Sequence, residues 1–259
     1  MASKVTGSMP TLSIVSALKH MFQLIANNWV VAAKFCLPWL LVMAVLDAWQ
    51  RLSLQNAGAT FENVTFDGKM LVLLAVNLVA SSSIAVSWHR HILIDEPQAA
   101  VRPFRIDRLV AIYLLRNLLI FAAIFIPLVV VVMAATLLPK PLMPIWIAMI
   151  IIVVLLTVRL TISLPAIAIG RSEFGLQAAL LASRKNNLPI LGLIMATTLI
   201  GVGLLVVLQI LISIASAISP GLNIPAIILF SLPFQFVIIL LSTAMQTSLY
   251  GYFGEGRKF

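Results

Sequence analysis

The sequence predicts an all-α, polytopic membrane bundle with six transmembrane helices and about three amphipathic helices at the cytoplasmic face. Of its 259 residues, 62% are hydrophobic and 10% are charged. Soluble domains carry about 25% charged residues, so a water-soluble surface cannot be built from this composition. The apolar segments are long runs and not short alternating segments, which favours helices over an outer-membrane barrel. We therefore expect a single membrane domain over residues 1–259.

Six apolar runs are long enough to cross a bilayer, since about 20 apolar residues span its hydrocarbon core. They cover residues 28–49, 70–94, 109–138, 145–169, 188–218 and 224–253. A proline lies inside the first, third and sixth spans, where we expect it to kink the helix: Pro38, Pro127 and Pro233. The three prolines of residues 139–144 predict a tight turn between the third and fourth spans.

Three stretches precede spans with a different pattern and predict amphipathic helices. In residues 11–27 the apolar side chains fall three or four positions apart, which places them on one helical face: Leu12, Val15, Leu18, Phe22 and Ile25. Thr11 or Ser13 is the expected N-cap of this helix. The other two stretches are residues 104–116 and 174–187. Each would lie at the membrane surface before the next span begins.

The amphipathic stretches suggest three tandem units, residues 11–94, 104–170 and 171–253. An asparagine stands at the entrance to the first span of each unit, at Asn28, Asn117 and Asn187. In the first two units a proline follows ten residues later, whereas the third unit has Thr197 there. Because apolar sequences resemble one another by composition alone, chance similarity is the alternative. A true repeat would consist of parallel units, since each would start on the same side.

The basic residues predict the orientation. The formal net charge is +9, and eleven of the seventeen Lys and Arg residues flank one set of span ends, whereas three flank the other set. By the positive-inside rule, the richer set faces the cytoplasm, as do both termini. We expect a multi-pass protein of the bacterial inner (cytoplasmic) membrane that contacts anionic lipids. Because the basic residues are scattered over loops between spans, we do not expect a nucleic-acid partner.

Arg159 is the most unusual polar residue of the spans, because an ionised group inside a bilayer costs at least about 2.5 kcal/mol. Counting eleven residues from Arg159 to Gly170 places it about 16 Å from the cytoplasmic edge, near mid-depth. One interpretation is an anion or headgroup site, with Ser163 one turn on. The other is a structural arginine that snorkels or binds carbonyls and Asn77, Gln209 or Gln235. The sequence leaves both open.

Span 6 carries Ser231, Gln235, Ser242 and Gln246 on one helical face. These residues could line a polar path, but in membrane proteins such side chains more often hold helices together. At the end of span 2 stands Trp88-His89-Arg90-His91. The two histidines lie about 200° apart on a helix, so they cannot chelate one metal ion, for which an i, i+4 spacing would be needed.

We expect headgroup contacts from Trp88 and from the basic residues near the cytoplasmic span ends: Arg90, Arg102, Arg105, Arg108, Arg184 and Lys185. The sequence contains no phosphate-binding glycine loop, no metal-spaced ligand set and no carboxylate pair. We therefore expect no cofactor, no metal site, no catalytic residue and no enzymatic activity.

Two segments carry a family resemblance: residues 159–168, from Arg159 through Pro165, and residues 177–186, around Arg184. Together with the amphipathic lead over residues 17–28, they resemble bacterial six-helix membrane proteins that are similar to the membrane domain of glycerophosphoryl diester phosphodiesterases. The phosphodiesterase barrel itself is missing from this sequence. The resemblance therefore implies the membrane fold without the phosphodiesterase chemistry, and it supplies no catalytic residues.

Two functions from different classes follow. The first is a non-enzymatic membrane protein that organises lipid or serves as an accessory or scaffold subunit beside other integral membrane proteins. The alternative is a transporter or lipid-translocating protein that uses Arg159 and the polar face of the sixth span.

Overall fold

The computed structural model describes residues 11–56, 68–97, 102–137, 143–171, 173–219 and 223–259. These ranges contain eight α-helices and no strand. The helices are α1 (Ile14–Asn56), α2 (Gly68–Ile94), α3 (Arg108–Leu137), α4 (Met143–Thr161), α5 (Leu164–Ala168), α6 (Leu176–Ser183), α7 (Asn187–Ile218) and α8 (Asn223–Phe253). Six of the helical segments are long and apolar enough to cross a membrane, which confirms the predicted class.

Helix α1 differs from the prediction because it combines the amphipathic lead and the first span in one continuous helix. The expected break near Asn28 does not occur. The side-chain amide of Asn28 donates to the Leu24 carbonyl oxygen one turn back in the same helix. At its start, the Ser13 hydroxyl oxygen accepts from the Ser16 N–H at 3.3 Å, so Ser13 is the cap, as expected. At its other end, α1 continues through the first residues of the predicted loop to Asn56.

The fourth span also differs, because it is interrupted. Helix α4 ends at Thr161, and the short helix α5 begins at Leu164, with Pro165 in its first turn. Proline is favoured there because the first N–H groups of a helix have no intrahelical partner. Arg159 therefore stands in the last turn of α4, although Pro144–Ala168 together still form one candidate span. Its depth in the membrane stays a prediction.

Contacts between helix ends define one end of the bundle. The Leu12 N–H donates to Asn186 Oδ1 at 2.7 Å, which joins the start of α1 to the start of α7. Arg90 near the end of α2 donates to the Ala168 carbonyl of α5 at 3.3 Å. Arg171 pairs with Glu255 after α8 at 2.8 Å. We call this the basic end, where α1, α3 and α7 begin and α2 and α8 finish, and its opposite the far end.

The buried core lies toward the basic end. In α2 the buried side chains are Leu73 and a group over residues 80–93, and in α8 they lie over residues 240–253. The largest fully buried side chains include Trp88, Tyr250 and Phe35, which come from α2, α8 and α1. In α7 the buried residues are Ile190 and Leu193, both near its start. Toward the far end many apolar side chains face outward, where lipid tails instead of other protein side chains can contact them.

Candidate functional site at the basic end

Arg159 binds α6. Its Nε donates to the Ser183 hydroxyl oxygen at 2.9 Å, and its Nη2 donates to the Leu180 carbonyl oxygen. Leu180 is one of the last four residues of α6, whose carbonyls have no backbone N–H partner within the helix. A cation near a helix C-terminus is also favoured by the helix dipole. Arg159 thus fastens the short helix α6 to the end of α4.

None of the residues proposed to share a site with Arg159 forms a hydrogen bond with it among those that the described residues show. Asn77 donates to the Leu73 carbonyl of its own helix at 2.8 Å, and the Ser163 hydroxyl, which is fully buried, donates to the Leu160 carbonyl at 2.7 Å. Gln209 is exposed on α7. Gln235 Oε1 is buried and has no hydrogen-bond partner among the described residues. The expected partners Asn77, Gln209 and Gln235 are therefore replaced by Ser183 and the Leu180 backbone.

A buried polar network joins α2, α3 and α8. Trp88 Nε1 donates to Thr247 Oγ1 at 3.0 Å, and His89 Nδ1 lies 2.9 Å from the same oxygen. Tyr113 Oη lies 3.4 Å from His89 Nε2 and 3.1 Å from Gln246 Oε1. The Thr247 hydroxyl donates its one hydrogen to the Thr243 carbonyl, so it accepts from both rings. Because Thr247 accepts, His89 carries a proton on Nδ1. Tyr113 donates its one hydrogen to Gln246 Oε1, so its 3.4 Å approach to His89 Nε2 is a close contact and not a second donation.

This network explains two of the sequence observations. Gln246, from the predicted polar face of span 6, pairs with another helix, which is the packing role. Trp88 is fully buried between helices, so the prediction of a headgroup contact for its indole was wrong. The sequence gives an indole at a span end, but whether it faces lipid or protein depends on the position of α8. His89, Tyr113 and Thr247 were not predicted, because they are distant in sequence and meet only through tertiary packing.

A second cluster is ionic and centres on Glu96, after α2. Arg90 Nε donates to Glu96 Oε1 at 2.9 Å, and Arg105 Nη1 donates to Glu96 Oε2 at 2.8 Å. Arg105 Nε also donates to Asp107 Oδ2 at 2.8 Å. The second carboxylate oxygen of Asp107 accepts from the Val110 N–H at 3.0 Å and so caps α3. We call Arg90, Glu96, Arg105 and Asp107 the Glu96 cluster.

Electrostatics in the Glu96 cluster favour the ionised forms. Burial opposes the charge of Glu96, but hydrogen bonds and positive charge from Arg105 and Arg90 outweigh it, so the pKa of Glu96 lies below its ordinary value. Burial likewise opposes the charge of Asp107, yet Arg105 and the Val110 N–H hold its pKa below the ordinary value. The pKa of Arg105 is raised against its own burial by these two carboxylates.

The predicted headgroup cations fall into two groups. Arg90 and Arg105 belong to the Glu96 cluster, and their side chains are 19% and 12% exposed. Arg102, Arg108, Arg184 and Lys185 are exposed at the basic end. The second group is therefore available to an anionic surface, whereas the first mainly holds the ends of α2 and α3 together.

Within the described parts of the chain, no group of three or more His, Cys, Asp or Glu residues is placed to hold a metal ion. Cys36 is a free, buried thiol in α1. Comparisons with protein families, with curated proteins and with solved structures returned no match.

Proposed function

We propose that this multi-pass membrane protein organises anionic lipid at its basic end without catalysing a reaction. The supporting observation is the unequal exposure of charge at that end. In the described part of the chain, eight cations are exposed there: Lys19, Arg102, Arg108, Arg171, Arg184, Lys185, Arg257 and Lys258. Two exposed acids, Asp95 and Glu173, accompany them in the described ranges, whereas Glu96, Asp107 and Glu255 are partly buried and paired with arginines.

Such a surface attracts phosphate headgroups, since each Lys or Arg near an anionic membrane contributes about 1 kcal/mol, or roughly fivefold in affinity. The test is reconstitution into nanodiscs of phosphatidylcholine and phosphatidylglycerol, followed by measurement of the lipids around the protein. We expect phosphatidylglycerol to be enriched. Replacing Arg102, Arg108, Arg184 and Lys185 by glutamine should remove most of the enrichment. A far-end control, Arg51→Gln with Lys69→Gln, removes two exposed cations there and should retain it. Equal lipid composition around wild type and bulk would refute the proposal.

The orientation that we propose puts the basic end in the cytoplasm of a bacterial cell, with both termini on that side and the chain in the inner membrane. Single cysteines at position 102 and at position 69, in a Cys36→Ala background, test it with a membrane-impermeant thiol reagent. In right-side-out vesicles we expect labelling at position 69 and protection at position 102. Labelling of both positions from one side would contradict the six-span topology.

An accessory or scaffold role extends the proposal to other integral membrane proteins. It is supported by the outward-facing apolar surface of α7 toward the far end, which neighbouring transmembrane helices or lipid can cover: Val202, Leu205, Val206 and Ile210. Purification from native membranes in mild detergent tests the role. A recurrent stoichiometric partner is expected, and a lone monomer without partner or lipid would count against it.

Transport or lipid translocation remains the second proposal, and one observation favours it. A surface groove of about 320 Å³ lies between α7 and α8, and its lining is apolar except for Ser242, Thr197 and Thr198. Such a groove could accept an acyl chain while a headgroup moves past the hydroxyls. The rate at which lipids move between the two leaflets of proteoliposomes, measured for the wild type and for Arg159→Leu, tests this proposal. Flux no greater than in empty liposomes would exclude translocation, and unchanged flux in the variant would exclude Arg159.

A further inference from the structure

We propose that a cleft between the first turns of α1 and the residues after α8 binds the phosphate group of an anionic ligand. This inference rests on the proposed function and assigns one site to it. The cleft has a volume of about 450 Å³, within the range of small-ligand pockets. It is lined by Ser16, Lys19, His20 and Gln23 from α1, and by Arg257, Lys258 and Phe259 from the C-terminal segment.

The α1 side of the cleft is one helical stripe. Ser16, Lys19, His20 and Gln23 are spaced three, one and three residues apart, so their side chains project from the same face. The opposite face of these turns is fixed in the core, where Ala17 and Met21 are fully buried. The first turns of α1 are thus amphipathic with a separate role for each face. The apolar face anchors α1 in the core, and the polar face forms one wall of the cleft.

The other wall is formed by chain reversal after α8. Gly256 has a φ of 70°, a left-handed conformation that glycine adopts at no steric cost, and the Arg257 N–H donates to the Gly251 carbonyl at 2.9 Å. The segment therefore turns back against α1. Phe259 stacks on the His20 ring with 4.2 Å between centroids, and His20 Nδ1 lies 2.9 Å from Ser248 Oγ. These contacts make the cleft a built feature near the end of the last span.

The charge of the cleft selects its ligand. Among the side chains of the described residues that line it, three are cations and none is a carboxylate. Arg257 is paired with Glu255 at 2.7 Å, whereas Lys19 and Lys258 are exposed and form no ion pair with a described residue. Ser16 and Gln23 add neutral hydrogen-bonding groups. Two ammonium groups without an ion-paired side chain, beside a hydroxyl, an amide and an imidazole, match a phosphate mono- or diester, which offers several acceptor oxygens.

The ligand phosphate could belong to a lipid headgroup or to a soluble compound, and two measurements separate these sources. The first is phosphatidylglycerol enrichment around the full chain in mixed nanodiscs. The second is titration of inorganic phosphate into the protein in phosphatidylcholine nanodiscs, followed by the NMR signal of the His20 ring. The cleft variant is Lys19→Ala with Lys258→Ala. The matched control is Arg184→Ala with Lys185→Ala, which removes the same charge from exposed positions outside the cleft lining. Both double variants change exposed side chains, and thermal unfolding verifies that they fold.

For inorganic phosphate we expect the cleft variant to weaken binding by roughly 25-fold, about fivefold for each lysine, and the control, whose residues lie outside the cleft lining, to leave the His20 shift unchanged. The control removes part of the diffuse lipid surface, so enrichment of phosphatidylglycerol that falls further in the cleft variant than in the control assigns a lipid headgroup. A saturable His20 shift with inorganic phosphate, lost in the same variant but without lipid enrichment, assigns a soluble phosphate and refutes the lipid function. Equal losses in both variants would overturn the cleft site and leave the basic end as a diffuse lipid surface. No enrichment and no shift in the wild type would overturn both proposals.

Discussion

The Glu96 cluster provides a direct test of the ionic architecture through Glu96→Gln. The change removes the negative charge that accepts from Arg90 and twice from Arg105, at 2.8 to 3.2 Å. The Glu96 side chain is 10% exposed, so water can replace only part of this interaction. Hydrogen bonds to charged groups contribute about 1.5–3 kcal/mol each, but they are not additive within one network. Since glutamine keeps one acceptor oxygen, we expect a loss of about 2–4 kcal/mol in the free energy of unfolding at neutral pH.

The matched control is Asp47→Asn, because Asp47 pairs with Arg51 at 2.8 Å on the exposed surface of α1. An exposed i, i+4 pair contributes about 0.3–0.5 kcal/mol, so this variant should lose several times less stability than Glu96→Gln. Both are measured by denaturant or steric-trapping unfolding in the same detergent. Equal destabilisation of the two variants would refute the structural role of the Glu96 cluster.

The same substitution has a pH dependence with a defined sign. The pKa of Glu96 is lower in the folded protein than in the unfolded chain, so ionisation stabilises the fold above the unfolded pKa of about 4.5. This stabilisation is lost as the pH falls through the lower, folded pKa. The difference between wild type and Glu96→Gln should therefore be constant near neutral pH and shrink under acidic conditions below the ordinary glutamate pKa. A difference that is independent of pH would show that the carboxylate charge does not contribute.

Two further substitutions test the packing of α6 and α7. Arg159→Leu leaves the Leu180 carbonyl without its guanidinium partner. We therefore expect the free energy of local opening of α6, measured by amide hydrogen exchange, to fall by about 1–3 kcal/mol. Arg116→Leu on α3 should leave the exchange of α6 unchanged. Gly192→Ala would place a methyl group against Ile14 Cδ1, whereas Gly201→Ala meets no atom within 4 Å. Since alanine favours a helix over glycine by about 1 kcal/mol, Gly201→Ala should stabilise α7 in an unfolding titration. Gly192→Ala should be less stable than Gly201→Ala by about 1 kcal/mol or more, and shortening the facing side chain by Ile14→Val should reduce that deficit.

The spans were predictable because each contains enough consecutive apolar residues to cross the hydrocarbon core, whatever its neighbours do. Pro38, Pro127 and Pro233 lie inside helices, as expected for spans that tolerate proline. The ends of elements were less predictable. Helix α1 passes through Asn28, whose side-chain amide donates to a carbonyl of the preceding turn, and it continues to Asn56 past an Asp47–Arg51 pair. Polar residues alone therefore do not end a helix here.

The partners of the site residues were not predictable, since they depend on how helices distant in sequence pack. Arg159 was recognised as unusual, but its acceptors lie on α6, 21 and 24 residues away in the chain. One local signal was available, because Pro165 follows a serine by two residues and so favours a new helix start. This pattern predicts that α4 ends before Ser163, which places Arg159 in the last turn of α4. The tandem repeat, the family resemblance and the headgroup contacts of the exposed cations stay predictions.

The distribution of the core suggests why polar chemistry is concentrated at the basic end. Loops and helix ends there carry backbone groups and charges that lipid cannot solvate, so they need protein partners or water. The Glu96 cluster, the Arg159 contacts and the Trp88–Thr247 pair supply such partners. The Glu96 cluster joins the end of α2 to the start of α3 nine residues on, whereas the other two join residues 24 and 159 positions apart. Toward the far end apolar side chains need no such partners, because lipid tails solvate them as well as protein does. The proposed lipid function rests on this arrangement, a cation-rich end joined to helices with outward-facing apolar side chains.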